Sequence, residues 1–147
     1  MRVAFLAALC WLTALLVSAA LHAADSEGKP QRQGLSTYVS VAGARGDGEQ
    51  ALAAALGKRL TVLGVKQATA FEADVYDVQG TVRISPALKG KETVTIVWVV
   101  LAPDGNQLGV TRQTREVKKG SLDKTWGAAA AAAARAAAAD IVQLLPH

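Results

Sequence analysis

The chain has 147 residues, 51% of them hydrophobic, with 16 Lys and Arg against 12 Asp and Glu for a net charge of +4. That balance is too mild for a dedicated nucleic-acid binder, and no nucleic-acid partner is expected. Histidine occurs only at His22 and at the last residue, His147, and cysteine only at Cys10. A Ser-His-Asp triad and a His- or Cys-based metal site are therefore excluded from any folded domain, and no cofactor or metal is expected.

Arg2, the apolar run from Val3 to Ala20 and the small residues before Asp25 spell a secretory signal peptide over residues 1–24, cleaved near Ala23 or Ala24. The alternative is a retained signal that anchors the chain. Cys10 lies inside the run behind Leu9, where lipid attachment would require a small residue, so it is read as a bystander. Exported, the chain is placed in the periplasm with no cysteine and no transmembrane span. What remains suffices for one domain. Residues 25–34 are polar, with Pro30 and two glycines, and read as a flexible leader. A single α/β domain is expected over residues 35–147.

Leu35 to Val41 reads as a first strand, followed by the glycine loop Gly43-Ala44-Arg45-Gly46-Asp47-Gly48. Asp47, with Gln50 three residues on, has the spacing of a capping box. Leu52, Leu56, Leu60 and Leu63 then make an apolar stripe, and Gly64 closes the helix. Val65 to Ala68 is expected to be a short strand parallel to the first.

From Val75 to Leu101 the pattern predicts a hairpin residue by residue. Tyr76, Val78, Gly80, Val82 and Ile84 alternate with polar residues; Val94, Ile96, Trp98 and Val100 do the same on the return. Pairing Ile84 with Val94 sets Val82 opposite Ile96, Gly80 opposite Trp98 and Val78 opposite Val100, gathering the apolar residues on one face. Gly80 leaves room for the indole to lie across its strand.

Pro103-Asp104-Gly105 marks a turn into a third hairpin strand. Pairing Ala102 with Asn106 would point Arg112 into the core opposite Ile96, so a bulge or outward twist is expected near Thr111. Ser121 is expected to cap a final helix running to about Leu145, its middle made of the alanines from Ala128 to Ala139 around Arg135. The fold class is thus α/β, an α+β two-layer sandwich. Its mixed sheet has about five strands in the order β-α-β-β-β-β-α, with both helices on one face.

The glycine loop matches neither the dinucleotide fingerprint nor the P-loop, and Asp47 and Glu49 put negative charge where a phosphate would sit; it reads as a structural turn. The Arg45-Gly46-Asp47 tripeptide is given no weight. Asp74 and Asp77 point to opposite faces of a strand and do not form an acid–base pair. No catalytic residue is expected. Two surfaces are candidates for binding. Val97, Val99 and Leu101 lie on the sheet face away from the helices and form a candidate partner face. Lys89, Lys91, Arg115, Lys118, Lys119 and Lys124 gather toward one sheet end as a candidate anion patch.

The run Ala73-Asp74-Val75-Tyr76-Asp77-Val78-Gln79-Gly80-Thr81-Val82, the glycine loop, the Leu52/Leu56/Leu60 helix, the Asp104-Gly105 turn and the closing Asp140-Ile141 helix resemble small bacterial envelope domains. These are the amino-terminal domain of the translocation protein TolB and the domains of penicillin-binding-protein activator lipoproteins. A further likeness is to uncharacterised proteobacterial lipoproteins that share the Gly-Asp-Gly helix start, the strand ending at Gly80, and Gly120-Ser121-Leu122-Asp123 before Trp126-Gly127. The resemblance implies an envelope location and brings no catalytic residues. The expected function is that of a non-enzymatic periplasmic accessory domain acting as a protein–protein interaction module on an envelope protein. The alternative is a binder of anionic envelope polymer or lipid headgroups, and more remotely an enzyme.

Overall fold

A computed structural model describes residues 34–147. The expected signal peptide, with Cys10 and His22, and all of the expected leader but Gly34 lie outside the described residues. Seven elements follow one another: β1 (Ser36–Ala42), α1 (Gly48–Val62), β2 (Lys66–Gln67), β3 (Tyr76–Pro86), β4 (Lys91–Leu101), β5 (Gln107–Lys118) and α2 (Gly127–Leu144). The sheet order is β2-β1-β3-β4-β5. β1 runs parallel to β2 and β3, while β3, β4 and β5 are antiparallel.

The central hairpin has the register its alternation dictates, with Ile84 on Val94, Val82 on Ile96, Gly80 on Trp98 and Val78 on Val100. Trp98 is fully buried, and a Cβ on Gly80 would sit 2.6 Å from its Cζ3 atom. The ring therefore occupies the volume that any other residue at position 80 would claim. On the same face Val78, Val82, Ile96 and Val100 meet Leu52, Leu56 and Leu60 of α1 and the apolar side of α2 in one core. Each such side chain contributes about 1.5–3 kcal/mol when fully buried. Leu63 departs from the expected stripe: it follows the last turn of α1 and is exposed.

Three local expectations are corrected. Asp47 precedes α1, but its carboxylate makes no cap to the helix; it accepts the Trp126 backbone N–H at 2.8 Å. Glu49, rather than Gln50, reaches back to the chain before the helix, accepting the Gly43 N–H. The expected capping box is thus replaced by bonds to other segments.

The bulge in β5 comes at Leu108, at the start of the strand and not near Thr111. Leu101 pairs with Gln107, whereas Val100 already pairs with Gly109. The extra residue reverses the parity, so Arg112 pairs with Val97 and turns outward, and Gln113 faces inward beside Ile96. This takes the Arg112 guanidinium out of the centre of the core and makes Arg115 the helix-facing arginine instead, nearer the sheet end, where it stays exposed at the cleft. It also sets Gly109 under α2, where a Cβ would lie 2.5 Å from Leu144 Cδ2. The turn before it is fixed by Asp104, which accepts from the Asn106 backbone and side-chain nitrogens, bonds that hold its carboxyl below the usual aspartate range.

The final helix begins at Gly127, not at Ser121. Residues 118–123 form turns, with Ser121 N–H donating to Lys118 and Asp123 N–H to Gly120. Leu122 and Trp126 are buried within this irregular segment. Their burial, together with the bonds Trp126 makes to the glycine loop, outweighs what a further helical turn would supply. Along α2 the buried positions are Ala130, Ala134, Ala137, Ala138 and Ile141, a helical stripe made largely of methyl groups.

Candidate functional site

Strand alternation fixes what the sheet face opposite the helices presents. On β4 it carries Val97, Val99 and Leu101, all half-buried; β3 adds Asp77, Gln79 and Thr81 beside them. The bulge adds an apolar neighbour that parity without it would have hidden: Val110 pairs with Val99 on this face and is 49% exposed. Both helices pack on the other face, and no described helix covers this one. At its margin the Oδ1 atom of Asp77 is buried without a hydrogen-bond partner, while Oδ2 accepts from Gln79 at 2.6 Å. An unmet buried acceptor costs about 1–3 kcal/mol, which a donor arriving on this face could offset.

The candidate anion patch divides. Lys91 pairs with Lys118 across β4 and β5, and the Lys119 N–H donates to the Gly90 carbonyl, bringing Lys89, Lys91, Lys118 and Lys119 to one end of the sheet. Lys91 is partly neutralised there by Glu116 at 3.2 Å. Arg115 lies apart from this group, opposite Val94 on the helix-facing side of β5. Lys124 belongs to another structure, since its carbonyl accepts the Asp47 N–H.

That structure is a clasp between the glycine loop and the segment before α2. The Trp126 indole N–H donates to the Arg45 carbonyl at 2.9 Å, and Gly48 lies so close to the indole that a Cβ there would be 2.4 Å from Nε1. Arg45 bridges Glu92 at 3.0 Å and Asp123 at 3.1 Å. Glu92 is buried, and the Gly120 N–H and then Arg45 hold its carboxyl below the ordinary glutamate range. Glu92 in turn, followed by Asp123, raises the Arg45 guanidinium further above its already high value. The Arg45 and Asp47 side chains are engaged internally, so the tripeptide is part of the clasp. Sequence reading treated the two glycine motifs separately. Parity offered the missing signal: Glu92 has the same parity as Val94 and Ile96, and a carboxylate on the core face calls for a cation.

The last feature is a cleft of about 200 Å³ between the helix-facing side of β4 and β5 and the first half of α2. Ile96, Val117, Trp126, Ala132 and Ala133 line it, with Arg115 among them. It exists because α2 presents only methyl groups there while β5 contributes Gln113 and Arg115. Gln113 spans part of the gap by donating to the Ala133 carbonyl. Among the described residues no group of three or more His, Cys, Asp or Glu side chains could hold a metal ion, and no helix is long and apolar enough to cross a membrane.

No family model matches the chain, and no curated protein matches it by sequence. Among solved structures it is similar to an uncharacterised protein, with a TM-score of 0.51 and 16% identity over 73% of this chain and 91% of that one. It is also similar to the PelC dodecamer from Paraburkholderia phytofirmans, with a TM-score of 0.48 and 16% identity over 75% and 85% of the two chains. A minor lipoprotein from Acinetobacter baumannii gives a TM-score of 0.43 and 12% identity over 72% and 91%. At this identity the first likeness shows a shared fold alone, and the two below a TM-score of 0.5 carry no argument. The resemblance to the TolB domain and to the activator lipoproteins rests on sequence pattern only.

Proposed function

We propose that this chain is a non-enzymatic accessory domain of the bacterial cell envelope that is exported to the periplasm and acts by docking another protein. The observation that carries the reading is the uncovered sheet face, where Val97, Val99, Leu101 and Val110 adjoin on neighbouring strands. Apolar side chains gathered on one exposed surface favour a partner that removes them from water. The signal-like start and the envelope resemblance support the proposed location.

Binding of anionic polymer or lipid headgroups is the second reading, favoured by the convergence of Lys89, Lys91, Lys118 and Lys119 at one sheet end. An enzyme of unknown type is the remote third. Crosslinking in intact cells, followed by identification of the captured species, separates them. Specific capture of one protein, lost with Val99→Lys and retained with Lys118→Ala plus Lys119→Ala, is the expected result. The reverse pattern, with salt-sensitive retention on anionic glycans or lipids, would replace docking by polymer binding. Indifference to both sets of substitutions would remove both readings.

A further inference from the structure

We propose that the β5 edge and the cleft beneath α2 form a second docking site, which takes an extended acidic peptide segment by strand addition. This rests on the reading of the domain as a docking module but uses a different surface. Three observations converge. β5 is the last strand of the sheet, paired only with β4, so alternate residues along it turn backbone N–H and C=O groups outward. Beside that edge lies the apolar cleft, placed to receive every second side chain of an added strand. At about 200 Å³ it is smaller than the roughly 300–1,000 Å³ of small-molecule pockets, so it suits individual side chains better than a whole small ligand.

Charge chooses the occupant. Arg112 points to the open face and Arg115 to the cleft side, and among the described residues neither makes an ion pair. Lys118 follows, and the acidic Glu116 between them is already engaged by Lys91. A second copy of this chain pairing edge to edge would bring these cations against one another. A strand carrying carboxylates on the open face beside Arg112 and Lys118 and apolar side chains into the cleft meets both the charge and the shape.

The test uses an acetylated octapeptide alternating valine and glutamate, its valine–lysine analogue, and the valine–glutamate peptide N-methylated at every residue, each titrated into the described domain joined to its natural leader. Backbone amide shifts confined to β5 and α2, measured at up to about 1 mM peptide, report binding. The expected result is that the acidic peptide binds at least about tenfold more tightly than the lysine analogue, and that N-methylation abolishes binding. Arg112→Glu and Ala132→Leu should each weaken it about tenfold, the first by charge and the second by filling the cleft. Both variants are first checked for native circular dichroism. Val99→Lys should leave this binding unchanged, so failure here is separable from failure of the open-face reading. Absence of shifts with every peptide would overturn the proposal, as would binding indifferent to N-methylation. Dodecyl phosphate entering the cleft below its micellar concentration while the peptides do not bind would overturn it in favour of an amphiphile site.

Discussion

Where β3 meets β4, the indole of Trp98 lies against Gly80 with no space left, and the leucines of α1 are fully buried in the same core. Where β4 meets β5, the same helical layer offers the methyl groups of α2 above Gln113 and Arg115, and a cleft remains. Beyond the bulge at Leu108, the backbone pairs in antiparallel register on either side of β4. What differs is side-chain volume. Packing density is thus set locally by the residues facing each other, and one sheet can be sealed on one side of a strand and open on the other. The sealed half supplies stability, and the open half is where a partner has room.

The largest effects should come from damaging the sealed half. Truncating a buried aromatic usually loses about 3–5 kcal/mol. The Trp98 indole N–H is buried without an acceptor, a penalty of about 1–3 kcal/mol that disappears with the ring. Trp98→Ala is therefore expected near the low end, about 3 kcal/mol, a large share of a small domain's stability. Urea unfolding of the variant measures it, and a loss below about 1 kcal/mol would mean that the sealed half is not what holds the domain together. Ala137, fully buried on α2, should behave similarly on a smaller scale. Enlarging it to leucine overpacks the core and is expected to cost about 1–3 kcal/mol by the same measurement.

The clasp should show itself through pH. Because Glu92 has a carboxyl pKa depressed by the Gly120 N–H and by Arg45, its contribution is fully present above the unfolded glutamate value of about 4.3. It fades as pH falls through the lower folded value. Glu92→Gln should accordingly lower the melting temperature at neutral pH, with a gap from the wild type that narrows in acid. An equal gap at pH near 7 and near 3 would show that the ionised carboxylate is not what secures the clasp.

Much of this is legible in the sequence alone. The hairpin could be read because each strand alternates cleanly and Gly80 and Trp98 are complementary in size, so one register satisfied both constraints. β5 resisted because its apolar residues are too few to vote for a parity. Leu108 and Val110 argue for one face and Val117 for the other, and only the packing of Gly109 under Leu144 settles where the bulge falls. The start of α2 was misread for a related reason. Ser121 has the chemistry of a cap, but Trp126 gains two hydrogen bonds to the glycine loop from a non-helical approach, and those partners are some eighty residues away in sequence. Of the candidate surfaces, the open face followed from β4 alone. The cleft did not, because an alanine tract announces a helix without saying which of its methyl groups will face a gap.

The smallest expected effect is also the sharpest comparison, because it uses one substitution on one helix. Ala132 lines the cleft, and Ala137, further along the same helix, is fully buried in the core. Alanine to leucine changes helix propensity little at either position, so the backbone contribution nearly cancels between them. At Ala137 there is no free volume and the added carbons must displace neighbours. At Ala132 they can enter the cleft beside Ile96 and Val117, where burial gains up to about 0.8 kcal/mol per methylene, offset by about 0.5–1 kcal/mol of lost rotamer freedom. Ala132→Leu is expected to be neutral or to stabilise by about 1 kcal/mol, opposite in sign to Ala137→Leu. Paired denaturation curves read the difference directly. If both variants lose stability alike, the gap between β5 and α2 is not available to a side chain from this protein, and the case for its admitting one from a partner strand weakens with it.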